Sequence, residues 1–302
     1  MKIAIIQARP GIGDMCIFLP FIHAIAKFFN TKIFLITKAR SHSKELLKFD
    51  PYIEEIIYLD ESNLLKLNYN LIKVLKKRKI NKIFLMHFGL RYWVLSKLSG
   101  VKKIYSYGLI KKKVNITGYI KYIVNKWLGA KNLKFPCKIF FDVREKKNSI
   151  VIGIGGSGTN KKWKISNYIE LIKLINQSDN EKEFIIAGGI NEKNDFTEIK
   201  NNLPNISCKS LCDLKISQCL EIISTAKLYI GNDTGFMHIC GSLSIPAFGI
   251  FGNTPSNYCD YNSMITPIMP KGYSQVNYDD NVFDKILPVD IFKILKDRKC
   301  IS

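Results

Sequence analysis

Residues Leu228–Pro255, LYIGNDTGFMHICGSLSIPAFGIFGNTP, decide how the rest of the chain is read. Leu228–Ile230 are apolar and suited to a strand, and Gly231-Asn232-Asp233 is turn chemistry. Thr234–Leu243 has room for about two or three helical turns. Ala247–Phe251 is a second short apolar run, closed by Gly252-Asn253. A turn that opens a helix at the end of a strand presents free backbone N–H groups and the positive end of the helix dipole. That makes a ready place for a phosphate or diphosphate. Asp233 is positioned to cap the helix, and Gly235 lets a ligand approach the backbone closely. An ordinary capped helix in an α/β domain fits the same pattern, so the stretch alone leaves both readings open.

The same rhythm runs outward from it. Lys2–Gln7, Lys32–Thr37, Glu55–Leu59, Lys82–Met86 and Lys103–Tyr105 read as strands. Helix-compatible segments separate them at Met15–Phe29, Ser43–Lys48, Leu64–Lys77 and Arg91–Ser99. Tyr119–Leu128 has apolar residues at helical spacing with lysines between. It fits either a membrane-facing or acceptor-facing amphipathic helix or one packed on the core. Asp142–Asn148 is polar, and the domain boundary is expected there, giving domains 1–147 and 148–302. A second series follows, with strands at Ser149–Ile154, Glu183–Ala187 and Ser207–Lys209 leading into the opening stretch. Helices are expected at Ile165–Ile175, Asp195–Asn202 and Ser217–Ser224. Past the opening stretch the pattern weakens until a final helix, Val289–Lys299, a candidate to pack back on the first domain. Two βα series in 302 residues predict an α/β protein with two Rossmann-like domains facing each other across a cleft, ligands sitting at the carboxyl ends of the strands.

The net charge of +21 is unevenly spread. Through Lys147 there are 30 basic and 9 acidic residues; from Asn148 onward there are 16 of each. Ser62–Phe141 holds 19 basic residues and no acidic one. Such a field favours an anionic partner: a membrane surface, a phosphorylated glycolipid or nucleic acid. No signature of a nucleic-acid module accompanies it, so nucleic acid is not the expected partner. The most apolar early run, Met15–Phe29, contains Pro20, His23 and Lys27 and is too short to span a bilayer; a cytoplasmic location is expected. Eight scattered cysteines with no CxxC pair are expected to be free thiols.

Three further places carry possible chemistry. Gly155–Gly158, followed by Lys161 and Lys162, fits neither a dinucleotide fingerprint nor a Walker A box. It can still offer backbone donors, the Ser157 hydroxyl and two ammonium groups to a diphosphate, or be a plain flexible turn. Asp14 follows Gly13 in the first strand-to-helix loop, where it serves as an N-cap or as a carboxylate placed to take a proton from a hydroxyl. His238, four residues after Thr234, shares a helix face with it as a capping, core or site residue. No DxD pair exists, and Asp279-Asp280 are adjacent and poorly placed to share a metal, so no metal site is expected.

Taken together, these segments resemble glycosyltransferase family 9, the ADP-heptose:lipopolysaccharide heptosyltransferases. Gly13-Asp14 with Pro20 resembles the family's N-terminal GD…P motif, and Asp50-Pro51-Tyr52-Ile53-Glu54-Glu55-Ile56 its "hPyvDevi" segment. Ser157…Lys161-Lys162-Trp163 resembles its glycine/serine loop with K-x-W. Gly231–His238 with Ile245-Pro246 and Phe251–Pro255 resembles GNDSGPMHL…GTP…FGPT, the most specific of the four. Departures are Phe236 and Asn253 in place of prolines and no Pro-Gly before the loop. The resemblance implies the GT-B architecture and inversion at the anomeric carbon without metal or cofactor. The co-substrate would be a nucleotide-diphosphate-sugar, ADP-heptose in the family, bound mainly by the C-terminal domain. It makes Asp14 the base on the acceptor hydroxyl, and gives the diphosphate to Lys161, Ser157, Thr234 and Gly235. Asp233 and His238 would line the donor site, and Glu192 would match a ribose-binding acid. The implied acceptor is an anionic glycolipid, a lipopolysaccharide or lipooligosaccharide core, met at the cytoplasmic face of the inner membrane. Another nucleotide-sugar, an epimerase of the same fold, or a basic nucleic-acid-binding protein are the competing readings.

Overall fold

The computed structural model describes residues 1–60, 62–87, 89–107, 116–131, 133–142, 145–156, 162–278 and 280–301. The chain divides into two compact units, Met1–Phe140 and Phe141–Ser302. The division falls before the polar stretch where the sequence predicted it, because that stretch is bound into the second unit. The Lys147 N–H donates to Thr225 O at 2.8 Å, and Lys146 Nζ donates to the carbonyls of Ser224 and Ala226.

The first unit runs β1 (Ile3–Gln7), α1 (Ile12–Phe28), β2 (Ile33–Lys38), α2 (Ser43–Leu46), β3 (Ile53–Leu59), α3 (Leu64–Lys77), β4 (Lys82–Leu85), α4 (Leu90–Leu98), β5 (Lys103–Tyr105) and α5 (Ile116–Leu128). Its five strands are parallel, in the order β3-β2-β1-β4-β5. Alternation along the strands divides the unit's apolar side chains between two faces. Ala4, Ile6, Ile36, Ile83 and Leu85 meet α3 and α4 through Leu67, Leu71, Leu75, Tyr92 and Leu95. Phe84 faces the other way, onto Phe29 and Trp127. Helix α5 packs on α1 with Ile120, Ile123, Val124 and Leu128 buried, so its apolar stripe serves the core, not a membrane. Pro20 lies inside α1 and has no N–H to give to Cys16 O; that carbonyl accepts from Cys137 Sγ at 3.5 Å.

The second unit runs β6 (Ser149–Gly153), α6 (Ile165–Ser178), β7 (Glu183–Ala187), α7 (Lys193–Asn202), β8 (Cys208–Ser210), α8 (Ile216–Ile223), β9 (Leu228–Asn232), α9 (Gly235–Ser242), β10 (Ala247–Ile250), β11 (Ile265–Ile268) and α10 (Pro288–Asp297). Six parallel strands take the order β11-β10-β9-β6-β7-β8, the doubly wound arrangement of a dinucleotide-binding domain. Strand β11 was not foreseen. Helix α10 lies on α6, and Ile291 and Leu295 are fully buried in the second unit's own core. An apolar stripe at Ile291 and Leu295 finds its partner within the unit, on the helix that follows β6.

In each sheet, connections leave in opposite directions from one central pair, β1 and β4 in the first unit, β6 and β9 in the second. Beyond the carboxyl ends of such a pair the loops part and leave a crevice. The motif residues fall at these two places. Among the described residues no helix is long and apolar enough to cross a membrane.

Candidate active site

In the second unit, β6 and β9 come unusually close. Gly153 pairs with Gly231 across them, and a Cβ on Gly231 would lie 2.3 Å from Gly153 O. A Cβ on Gly153 would lie 1.9 Å from Tyr229 Oη, so neither strand tolerates a side chain there. Tyr229, fully buried, uses the space to donate to Asn232 O at 2.8 Å, and it stands 3.3 Å from Thr234 Oγ1. Burial pushes its phenol well up, so it stays a neutral donor.

Asn232 closes the end of β9. Its Nδ2 donates to Ile154 O (3.2 Å) and Gly155 O (2.9 Å), and its Oδ1 accepts from Trp163 N–H (3.0 Å). One buried carboxamide thus ties β9 to both ends of the 156–162 loop. Trp163 is anchored again by its indole N–H, which donates to Ile286 O at 2.9 Å, and stands edge-on to Tyr168. Asn232 was given no role of its own in the sequence reading; a lone amide ending an otherwise apolar strand was the available signal. Ser157 and Lys161, to which the resemblance assigned the diphosphate, lie outside the described residues.

Beside the loop, Glu192 is buried where β7 gives way to α7. Its Oε2 accepts from Gly189 N–H at 2.7 Å and its Oε1 from Lys162 Nζ at 2.8 Å. Lys162 also reaches Asp195 at 3.5 Å. Partial burial works against its ammonium, but the hydrogen bond and charge of Glu192, then Asp195, outweigh it and raise its pKa. Gly155 is the meeting point. From the place a Cβ would take there, Glu192 Oε2 is 3.7 Å away and Thr234 Cγ2 is 3.9 Å away. The structure therefore brings Gly155, Lys162, Glu192 and Thr234 together at the crevice between β6 and β9.

Asp233 is not the cap of α9. Thr234 occupies that position in extended conformation without a side-chain cap bond, and the Asp233 carboxylate turns to His238 Nε2 at 3.3 Å. Asp233 is free to turn away because the ordering of this turn comes from Tyr229 and Asn232. His238 Nδ1 is 2.7 Å from Tyr261 Oη, so both ring nitrogens of this buried side chain are engaged by protein. These contacts brace Asp233 at the start of α9. Gly235 opens α9, whose first N–H groups lack intrahelical acceptors and point out beyond β9.

In the first unit, Asp14 is also not an N-cap. Helix α1 begins at Ile12, one turn earlier than the apolar run suggests, which puts Asp14 in its third position. From there one carboxylate oxygen reaches back to the Gly11 N–H and the other to Arg9 Nη1, both at 3.3 Å. About a quarter of the side chain stays exposed, so it can still accept a proton from a hydroxyl brought to it. At the carboxyl end of β1, Gln7 is 1% exposed, yet neither atom of its carboxamide has a hydrogen-bond partner among the described residues. An unpaired buried amide marks a place where a polar partner is missing. It too escaped the sequence reading.

The profile of "Glycosyltransferase family 9 (heptosyltransferase)" matches residues 130–270, which contain all of the second-unit crevice. A lipopolysaccharide heptosyltransferase 1 of Campylobacter coli is 23% identical, the match covering 98% of either chain. Among solved structures, the E. coli ADP-heptose lps heptosyltransferase II superposes with a TM-score of 0.78 at 17% identity, covering 98% of each chain. The E. coli heptosyltransferase WaaC with ADP-2-deoxy-2-fluoro heptose superposes equally well, 0.78 at 12% identity, over 99% of this chain and 100% of that one.

Proposed function

We propose that the chain, which has the GT-B fold, is a heptosyltransferase-like member of glycosyltransferase family 9 and transfers a heptosyl group from ADP-heptose to a lipopolysaccharide or lipooligosaccharide core. The observation that carries the proposal is the convergence of Gly155, Lys162, Glu192 and Thr234 at the crevice between β6 and β9, beneath the N-terminus of α9. A bare glycine, an exposed helix start and a threonine hydroxyl suit a diphosphate. A carboxylate held by Gly189 N–H and an ammonium, with lone pairs to spare, suits ribose hydroxyls.

The reaction is a single displacement. The Asp14 carboxylate takes the proton of an acceptor hydroxyl as its oxygen bonds to the anomeric carbon on the face opposite the leaving group. The bond from that carbon to the diphosphate oxygen breaks, and its electron pair leaves with the diphosphate, inverting the anomeric configuration. Negative charge grows on the diphosphate as it departs. The α9 N–H groups, with Thr234, Ser157 and Lys161, stabilise it there, in place of a metal. Asp233, fixed by His238, completes the rim. Gln7, lying at the end of β1 before the Asp14 turn, gives the acceptor an amide whose two polar atoms it can satisfy. The acceptor is an anionic glycolipid, which the net charge of +21 attracts, and the protein works at the cytoplasmic face of the inner membrane.

A thermal-shift panel of ADP-, GDP- and UDP-sugars, with a CMP-sugar as the monophosphate control, tests this reading. ADP-heptose stabilises the protein and the CMP-sugar does not; with acceptor added, the sugar appears covalently on the acceptor. Release of an altered free sugar would replace the transferase by an epimerase. Absence of any diphosphate-dependent shift would remove the proposed donor site.

A further inference from the structure

Helix α4 is apolar on two sides. Tyr92 and Leu95 are buried in the first unit's core. Leu90, Trp93, Val94 and Leu98, three and four residues apart, form a second stripe that is 65, 38, 40 and 62% exposed. A helix on the surface of a soluble domain turns polar residues to water, so a contiguous second stripe implies something that covers it. Helix α3 lies against α4 and carries exposed Leu64 and Leu65 in its first turn. Its buried side is Leu67, Leu71 and Leu75, whereas Leu64 and Leu65 are 66 and 78% exposed. Lys97 Nζ stands 5.6 Å from the Trp93 ring centre, and Lys73 Nζ stands 5.9 Å from that of Tyr69, itself exposed. Aromatic rings with ammonium groups beside them suit the boundary between water and acyl chains.

Charge selects the occupant. From Ser62 to Phe141 the chain has 19 basic residues and no acidic one, a span that includes both helices. A second copy docked on the same face through a two-fold axis would set lysines against lysines, the nearest carboxylates in sequence being Asp60 and Glu61, ahead of α3. An anionic bilayer meets both the apolar stripe and the positive rim. We propose that the α3–α4 face is a leaflet-docking surface, in which Leu90, Trp93, Val94 and Leu98 of α4 and Leu64 and Leu65 of α3 enter the headgroup–acyl boundary of an anionic membrane. It deepens the preceding reading and rests on its lipid-anchored acceptor. Helices α3 and α4 both begin at the carboxyl ends of the strands, the end at which Asp14 lies, so the docked face and the base share one end of the unit.

The test uses the full chain and vesicles of phosphatidylcholine with phosphatidylglycerol, against phosphatidylcholine alone. The protein sediments with the anionic vesicles, less so as salt rises. Trp93 shifts to the blue and is quenched by brominated acyl chains, and Trp93→Phe loses that quenching, because Trp163 is buried and Trp127 half-buried. The double variant Val94→Glu/Leu98→Glu, placed on exposed positions that leave the fold intact, lowers partitioning by about tenfold or more. Each of three results overturns the proposal: undiminished binding by the double variant, no quenching of bound wild type, or equal binding to neutral vesicles. A dimer that the double variant dissociates assigns the face to a second copy and overturns it too. Turnover of a delipidated acceptor fragment is measured alongside. Normal turnover with failed docking defeats only this inference, whereas docking without turnover defeats the proposed function.

Discussion

Asn232→Ala removes a side chain that joins β9 to the residues on both sides of positions 156–162, the proposed donor loop. The substitution strands Trp163 N–H and frees the carbonyls of Ile154 and Gly155 in a site with no exposure. A stranded buried N–H costs about 1–3 kcal/mol, and each carbonyl costs less where a water enters the vacated space, so about 3 kcal/mol is expected in all. For a unit the size of Phe141–Ser302, about 2–4 °C is lost per kcal/mol, which predicts a fall of about 6–12 °C in melting temperature. The functional loss exceeds the structural one, because the loop carrying Ser157 and Lys161 loses both anchors. Donor KM rises by about tenfold or more, as one to two kcal/mol of ordering is left for the ligand to supply. Calorimetric melting with and without nucleotide-sugar, followed by initial rates across donor concentrations, reads both effects. Asn232→Asp is the informative companion: it still accepts from Trp163 N–H but turns a carboxylate toward two carbonyl oxygens, and it should be at least as damaging. An Asn232→Ala protein with wild-type melting temperature and wild-type donor KM would refute the idea that this amide organises the site.

Three further outcomes follow from the same geometry. Gly153→Ala sets a methyl group 1.9 Å from Tyr229 Oη inside a closed core and should cost about 3 kcal/mol or more in urea unfolding; a cost below about 0.5 kcal/mol would show that the two strands have room to part. In the first unit, paired 2.6 Å hydrogen bonds from Arg78 hold the Glu55 carboxyl below its usual range. A depressed carboxyl stabilises above its unfolded pKa and loses that contribution as pH falls through the folded one. Glu55→Gln should therefore lower the melting temperature slightly at neutral pH and not at all in acid, and an equal loss at both would contradict the pairing. No disulfide joins the eight cysteines, and burial pushes the Cys259 thiol up to about 12 and Cys240 higher still. Both should resist alkylation at mildly alkaline pH until the protein unfolds, and rapid labelling of native Cys240 would show the second core to be open.

The strands were legible because they are short apolar runs set between helix-period segments, and that alternation leaves only a doubly wound parallel sheet. Strand β11 was missed for a physical reason. Its four residues, ITPI, include Pro267, and a proline is tolerated there because β11 lies at the sheet edge, paired only with β10. The Asp142–Asn148 stretch reads as a linker by composition, yet Lys146 and Lys147 are bound to the turn before β9, a contact no local pattern announces. Helix α5 was recognised as amphipathic, but sequence could not tell that α1 covers its apolar face, nor that α4 would keep a stripe uncovered. At the site, the glycines were readable as turn and phosphate chemistry, while Thr234 and Glu192 came only with the family resemblance. The caps were not, since Asp14 sits three residues after the N-cap of α1 and Asp233 one residue before that of α9. Asn232, Lys162 and Gln7 owe their importance to partners, or to missing partners, brought by the fold.

The most direct test of the central claim is the rate of sugar transfer by Asp14→Asn at saturating donor, with donor affinity measured on the same protein. The carboxamide keeps the shape of the side chain and loses its ability to take a proton, while the proposed donor groups all lie in the second unit. Donor affinity should stay within about twofold of wild type, while transfer falls by about 10²–10⁴-fold. Transfer at the wild-type rate with intact donor binding would contradict the account.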